Sequence, residues 1–155
     1  MNIGFYLLDV EQKNSKHQTI LKAINKLYDI RPHDNIVLFN NKFSMVDPEQ
    51  KYYTLHINEA KYFKGILFVF DIKSAMLTKS FAAPRKQLLL IDRPEWSEKR
   101  NIPYLFWQHI YNNEKFELLT SSDSMEKLCE NCWRKPLYNL KDLNGEQINE
   151  VLQKL

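Results

Sequence analysis

Gly65-Ile66-Leu67-Phe68-Val69-Phe70-Asp71 is an unbroken apolar run that begins at a glycine and ends at an acid. Five large apolar residues without a polar partner between them do not alternate. A strand built from them must therefore be covered on both faces, which is the habit of parallel sheets. Working outward, the same pattern recurs. Asn2-Ile3-Gly4-Phe5-Tyr6-Leu7-Leu8 ends at Asp9, Asn35-Ile36-Val37-Leu38-Phe39 ends at Asn40-Asn41, and Gln87-Leu88-Leu89-Leu90-Ile91 ends at Asp92. Phe116-Glu117-Leu118-Leu119-Thr120 ends at Ser121-Ser122, and a shorter strand, Tyr53-Thr54-Leu55-His56-Ile57, follows an Asp47-Pro48 turn.

Helical patterns separate these runs. After a polar stretch from Glu11 to Lys16, Ile20, Ile24, Leu27 and Tyr28 repeat at helical spacing, and Pro32 forces that helix to stop near Asp29 to Arg31. Ser74 to Phe81 forms a short helix ended before Pro84, and Arg93-Pro94-Glu95-Trp96 is a loop. Pro103 suits the first position of a helix from Tyr104 to Tyr111. Met125, Leu128, Cys129 and Cys132 give a buried helical face, and Ile148, Val151, Leu152 and Leu155 give another after a turn at Gly145. Strands flanked by helices predict a three-layer α/β domain over residues 1–155, with a mostly parallel sheet of about six strands.

Composition sets the outer limits. The chain has 155 residues, 44% apolar and 26% charged, enough for a hydrophobic core. Its longest apolar run is far below the roughly 20 residues of a membrane-spanning helix, and Asp9 and Glu11 interrupt the N-terminal apolar stretch where a leader would continue. No membrane partner is expected, and two cysteines suit a reducing, cytoplasmic setting. The formal charge of +3 hides an uneven distribution: nine basic residues face four acidic ones between Lys61 and Arg100. Such a basic middle can meet nucleic acid or another anion, although solvated lysines account for it more simply.

In an open parallel sheet, ligands bind beyond the carboxyl ends of the strands, where the strand order reverses. That places Asp9, Asn40, Asp71, Asp92, Arg93, Ser121 and Ser122 among the candidate binding residues, with Glu95 and Trp96 close behind. Turns and helix caps use the same residue types. The three glycines, Gly4, Gly65 and Gly145, are scattered, so the glycine-rich cradle of a dinucleotide site or P-loop is missing. No cofactor is expected.

Ser121-Ser122-Asp123-Ser124-Met125-Glu126 reads as a capping box, with Ser122 or Asp123 as N-cap and Glu126 reaching back. Cys129-Glu130-Asn131-Cys132 falls late in a helix, where a redox pair would lack the helix N-terminus that activates a thiol, and zinc would lack two ligands. Core packing is the better reading, and no metal site is expected. His17, His33, His56 and His109 have no ligand spacing, and His109 is expected to be partly buried. Tyr52-Tyr53 and Lys61-Tyr62-Phe63-Lys64 interleave aromatics with base, as base-stacking surfaces do, but packing explains them as well.

Taken in order, the opening Met1 to Tyr6, the helix through Thr19 to Tyr28, the strands Asn35 to Phe39, Gly65 to Asp71 and Gln87 to Asp92, and Phe116 to Ser122 before a helix resemble a known arrangement. It is that of the N-terminal Rossmann-like half of GT-B glycosyltransferases, phage DNA glucosyltransferases among them. The resemblance covers nearly the whole chain and implies a single acceptor-side domain. In two-domain members the other half holds most donor contacts and catalysis occurs between the halves. By this comparison the chain binds a sugar, nucleotide or glycosyl acceptor, with a nucleotide sugar or sugar acceptor as its partner. A catalytic version would use Asp92 or Glu95 as general base toward an acceptor hydroxyl, with Arg93 holding phosphate. An isolated half is completed by another chain or a second copy, or is non-catalytic. The alternative is a phage accessory protein that binds a host protein or DNA without catalysis.

Overall fold

The fold is described from a computed structural model over residues 1–11, 13–41, 49–99 and 101–155. The expected Asp47-Pro48 turn and Arg100 lie outside the described residues. Seven strands form one sheet: β1 (Asn2–Tyr6), β2 (Asn35–Asn40), β3 (Tyr53–His56), β4 (Ile66–Val69), β5 (Lys86–Ile91), β6 (Phe116–Thr120) and β7 (Tyr138–Asn139). Their order is β3-β2-β1-β4-β5-β6-β7, and every pair is parallel. The fold is a Rossmann-like three-layer α/β arrangement, with one strand more than the sequence indicated. β7 adds only two residues to the edge of β6, through Leu119↔Tyr138 and Thr120↔Asn139. Too short to carry a hydrophobic pattern, it is recruited by its neighbour.

Helices cover both faces, as the apolar runs require. On one face α1 (Ser15–Ile30) and α6 (Gly145–Gln153) pack over Ile3, Phe5, Leu38, Phe68 and Leu88. On the other, α2 (Ile72–Thr78), α4 (Tyr104–Tyr111), α5 (Asp123–Cys132) and a 3-10 turn at Ile57–Tyr62 cover Val37, Phe39, Leu67, Leu89 and Leu118. α1 begins where the Asn14 side chain accepts from the backbone of Lys16 and His17, and it ends at Arg31, directly before Pro32.

Several local expectations are corrected. Glu95–Glu98 is a single helical turn, α3, rather than loop. Pro103 stands at the cap of α4, one residue before the helix, with extended ψ. Gly145 is the first helical residue of α6 and not part of the preceding turn, whose cap is Asn144. In α5 only half of the capping box forms. Ser122 caps the Met125 amide at 3.2 Å, which leaves Glu126 one position too late to reach back. Glu126 instead accepts from the Asn139 amide at 3.3 Å, helping to hold β7. The two cysteines do not share a face: Cys129 is buried and Cys132 exposed. Burial pushes the Cys129 thiol up to about 12, with the neighbouring Cys132 adding to the rise. His109 is exposed on α4 rather than partly buried. Among the described residues, no helix is long and apolar enough to cross a membrane.

Candidate functional site

The chain leaves β1 toward β2 in one direction and, from β4 onward, steps away in the other. The strand order therefore reverses between β1 and β4. The loops after β1, β4, β5 and β6 leave the same edge of this parallel sheet and form one rim.

Lys16, in the first turn of α1, is the residue that ties this rim together. Its Nζ donates to the carbonyl of Phe70, at the exit of β4, at 2.9 Å. The same ammonium lies 2.7 Å from Oδ2 of Asp92, at the exit of β5. Both partners are half-buried, so the contact is less screened than an open surface pair. Ser121, after β6, donates through Oγ to the Asp92 carbonyl at 3.4 Å, extending the connection to a third strand end.

His17 stands beside Lys16. Its Nδ1 accepts from the Glu11 amide at 3.0 Å, pinning the loop that follows β1. Burial holds its pKa below the usual value. The charge of Glu11 opposes that shift, Lys16 reinforces it, and Asp71 and Asp9 oppose it. The imidazole thus senses the acids from two strand exits at once. Asp71 caps α2, accepting from the Ser74 amide and the Ser74 hydroxyl at 2.8 Å each. Tyr6, at the end of β1, is pushed up to about 12, first by burial and then by the Asp71 charge.

A folded-state pKa below the unfolded one means that the unfolded chain binds the proton more readily, so stability falls as pH falls. The stability held by neutral His17 is complete above the unfolded value of about 6.5 and is lost below it, toward the lowered native value. An NMR titration of the imidazole is expected to give a midpoint below that of an unfolded histidine. Denaturation midpoints should fall over the same acid range in the native sequence, and less so in His17→Ala. A native midpoint at or above the unfolded value would contradict the packing described.

The other sequence candidates lie in different surroundings. Asp9 is exposed on the loop after β1, and Asn40 is buried at the end of β2. Arg93 is exposed and faces Glu98 at 3.7 Å. Glu95 is buried and accepts from Lys99 at 3.1 Å. Trp96 is built into an aromatic cluster, edge-on to Tyr111 at 5.3 Å and to Trp133 at 5.6 Å. Ser122 is engaged as the α5 cap. The structure therefore gathers Asp9, Asp71, Asp92 and Ser121 around Lys16 and His17, and sets Arg93, Glu95, Trp96 and Ser122 to structural contacts beside them. Lys16 and His17 are absent from the sequence candidates because Lys16 ends a polar stretch without a motif and His17 has no ligand spacing. The signal available was positional: the first turn of the helix after the first strand of such a sheet faces the rim.

A concavity of about 710 Å³ runs along α4 between Leu105 and Asn113; it includes none of these residues and no carboxylate or ammonium. Among the described residues, no group of three or more His, Cys, Asp or Glu side chains gathers to hold a metal ion. Comparisons of the chain with protein-family models, with curated proteins and with solved structures found no match.

Proposed function

We propose that the rim between β1 and β4 binds a neutral, hydroxyl-rich ligand, as the acceptor-side half of a GT-B-like glycosyltransferase would, and that it does so without catalysing transfer alone. The observation that carries this reading is the convergence of Lys16 Nζ on Asp92 Oδ2 and the Phe70 carbonyl. A sugar hydroxyl both donates and accepts, and a row of hydroxyls fits a surface that alternates carboxylate, ammonium and serine. Lys16 already pairs with Asp92, and Asp9 and Asp71 stand near, an arrangement that works against a phosphate at that ammonium. The scattered glycines point the same way, so the sugar of an acceptor suits the rim better than the diphosphate of a donor.

Saturation-transfer NMR with methyl glucoside, maltotriose and UDP-glucose tests this reading. Neutral sugars are expected to bind with Kd on the order of 1 mM, and UDP-glucose no more tightly. Asp92→Asn should weaken sugar binding by about tenfold or more, the usual cost of losing a hydrogen bond to a charged group. No transfer to any neutral sugar would overturn the proposal, as would tighter UDP-glucose binding that ignores Asp92→Asn.

A further inference from the structure

At the opposite end of the sheet, the loops entering β1, β4 and β5 enclose a second concavity of about 550 Å³, within the size range of small-molecule sites. Its apolar lining comes from buried Ile66, half-buried Ala83 and exposed Ala82. Its charged groups are Lys64, Arg85 and the Met1 ammonium, the last paired with Asp34, and no acid stands among the lining residues. Among the described residues neither Lys64 nor Arg85 has an ion pair, whereas nearby Lys86 meets Glu117 at 3.4 Å. These two cations belong to the basic middle of the sequence, which the rim leaves unused.

The walls are fixed before any ligand arrives. Asn2 Nδ2 donates to the Lys64 carbonyl at 3.0 Å, and the Arg85 amide donates to the Gly65 carbonyl at 2.8 Å. Gly65 lies so close to β1 that a Cβ there would stand 2.4 Å from the Asn2 carbonyl oxygen. The backbone of the cradle is thus set in advance, while the exposed Lys64 and Arg85 side chains are ordered by the ligand. A guanidinium offers a planar fork to phosphate oxygens, and an ammonium adds a point charge beside it. An inorganic anion would satisfy both cations but leave the apolar lining uncovered.

We infer that this cavity binds a phosphate monoester carrying a flat, weakly polar ring, a ligand of mononucleotide size. The site is independent of the carboxyl-end rim, and the two are separable by mutation.

The test is an amide-detected NMR titration of the full chain with adenosine 5′-monophosphate, adenosine, inorganic phosphate and a single-stranded oligonucleotide. The monophosphate is expected to shift the Gly65, Ile66 and Ala83 amides saturably. Adenosine and phosphate alone should each bind at least tenfold more weakly. Arg85→Gln and Lys64→Gln should each weaken the monophosphate at least tenfold, while Lys16→Met leaves it unchanged. The inference is overturned by an absence of saturation, by equal binding of phosphate alone, or by indifference to Arg85→Gln and Lys64→Gln. Loss of binding in Lys16→Met would move the ligand to the rim, and tighter binding of the oligonucleotide would replace a small molecule by a nucleic acid strand.

Discussion

Replacing Phe5 by alanine is expected to lower the free energy of unfolding by about 3–5 kcal/mol, the cost of emptying a large aromatic site in a packed core. Phe5 is wholly buried in β1, the strand that both arms of the sheet share. Its ring lies nearly parallel to that of Phe68 on β4, with centroids 5.0 Å apart, and 6.2 Å from that of Phe70. The substitution therefore removes buried apolar area and two ring contacts, and the cavity falls where the paired strands on either side cannot close it. Typical domains have only about 5–15 kcal/mol in total, so the variant should sit near the edge of folding. Urea denaturation measures the change directly. A loss below about 1 kcal/mol would mean that the Phe5 ring is not in the core.

Gly145→Ala gives the second large effect, and here the sign is diagnostic. On helix propensity alone, alanine in place of a helical glycine gains up to about 1 kcal/mol. At Gly145, however, a Cβ would stand 2.5 Å from the backbone nitrogen of Leu27 and 2.8 Å from the carbonyl carbon of Lys26. Both obstacles are main chain of α1, which cannot rotate aside as a side chain could. α6 must withdraw from α1, loosening Ile148, Val151 and Leu152 against Ile24 and Leu27. We expect a net loss of about 1–3 kcal/mol by chemical denaturation, as for other overpacked cores. Stabilisation would show that the two helices are farther apart than described.

The sheet was legible because its central strands are buried on both faces. Runs such as Ile66–Val69 and Phe116–Thr120 can scarcely be anything else in a chain of this length. Pro32 marked the end of α1 for a purely local steric reason. What stayed hidden depends on partners distant in sequence. β7 exists only because Leu119 and Thr120 offer it a ladder. Gly145 reads as a turn residue until α1 is seen against it, and Trp96 reads as a rim residue until Tyr111 and Trp133 close around it. For the site, the acids at the strand exits were visible as a set. The cation that joins two of those exits was not, since nothing within the sequence ties Lys16 to Asp92, 76 positions away.

The rim depends on β1 lying between β2 and β4 with all three strands parallel. Inter-strand backbone NOEs of β1 measure this most directly. The expected result is a parallel pattern that sets Phe5 opposite both Leu38 and Phe68, and Gly4 opposite both Val37 and Leu67. An antiparallel pattern, or contacts from β1 to only one of those strands, would contradict the switch point and dissolve the rim around Lys16.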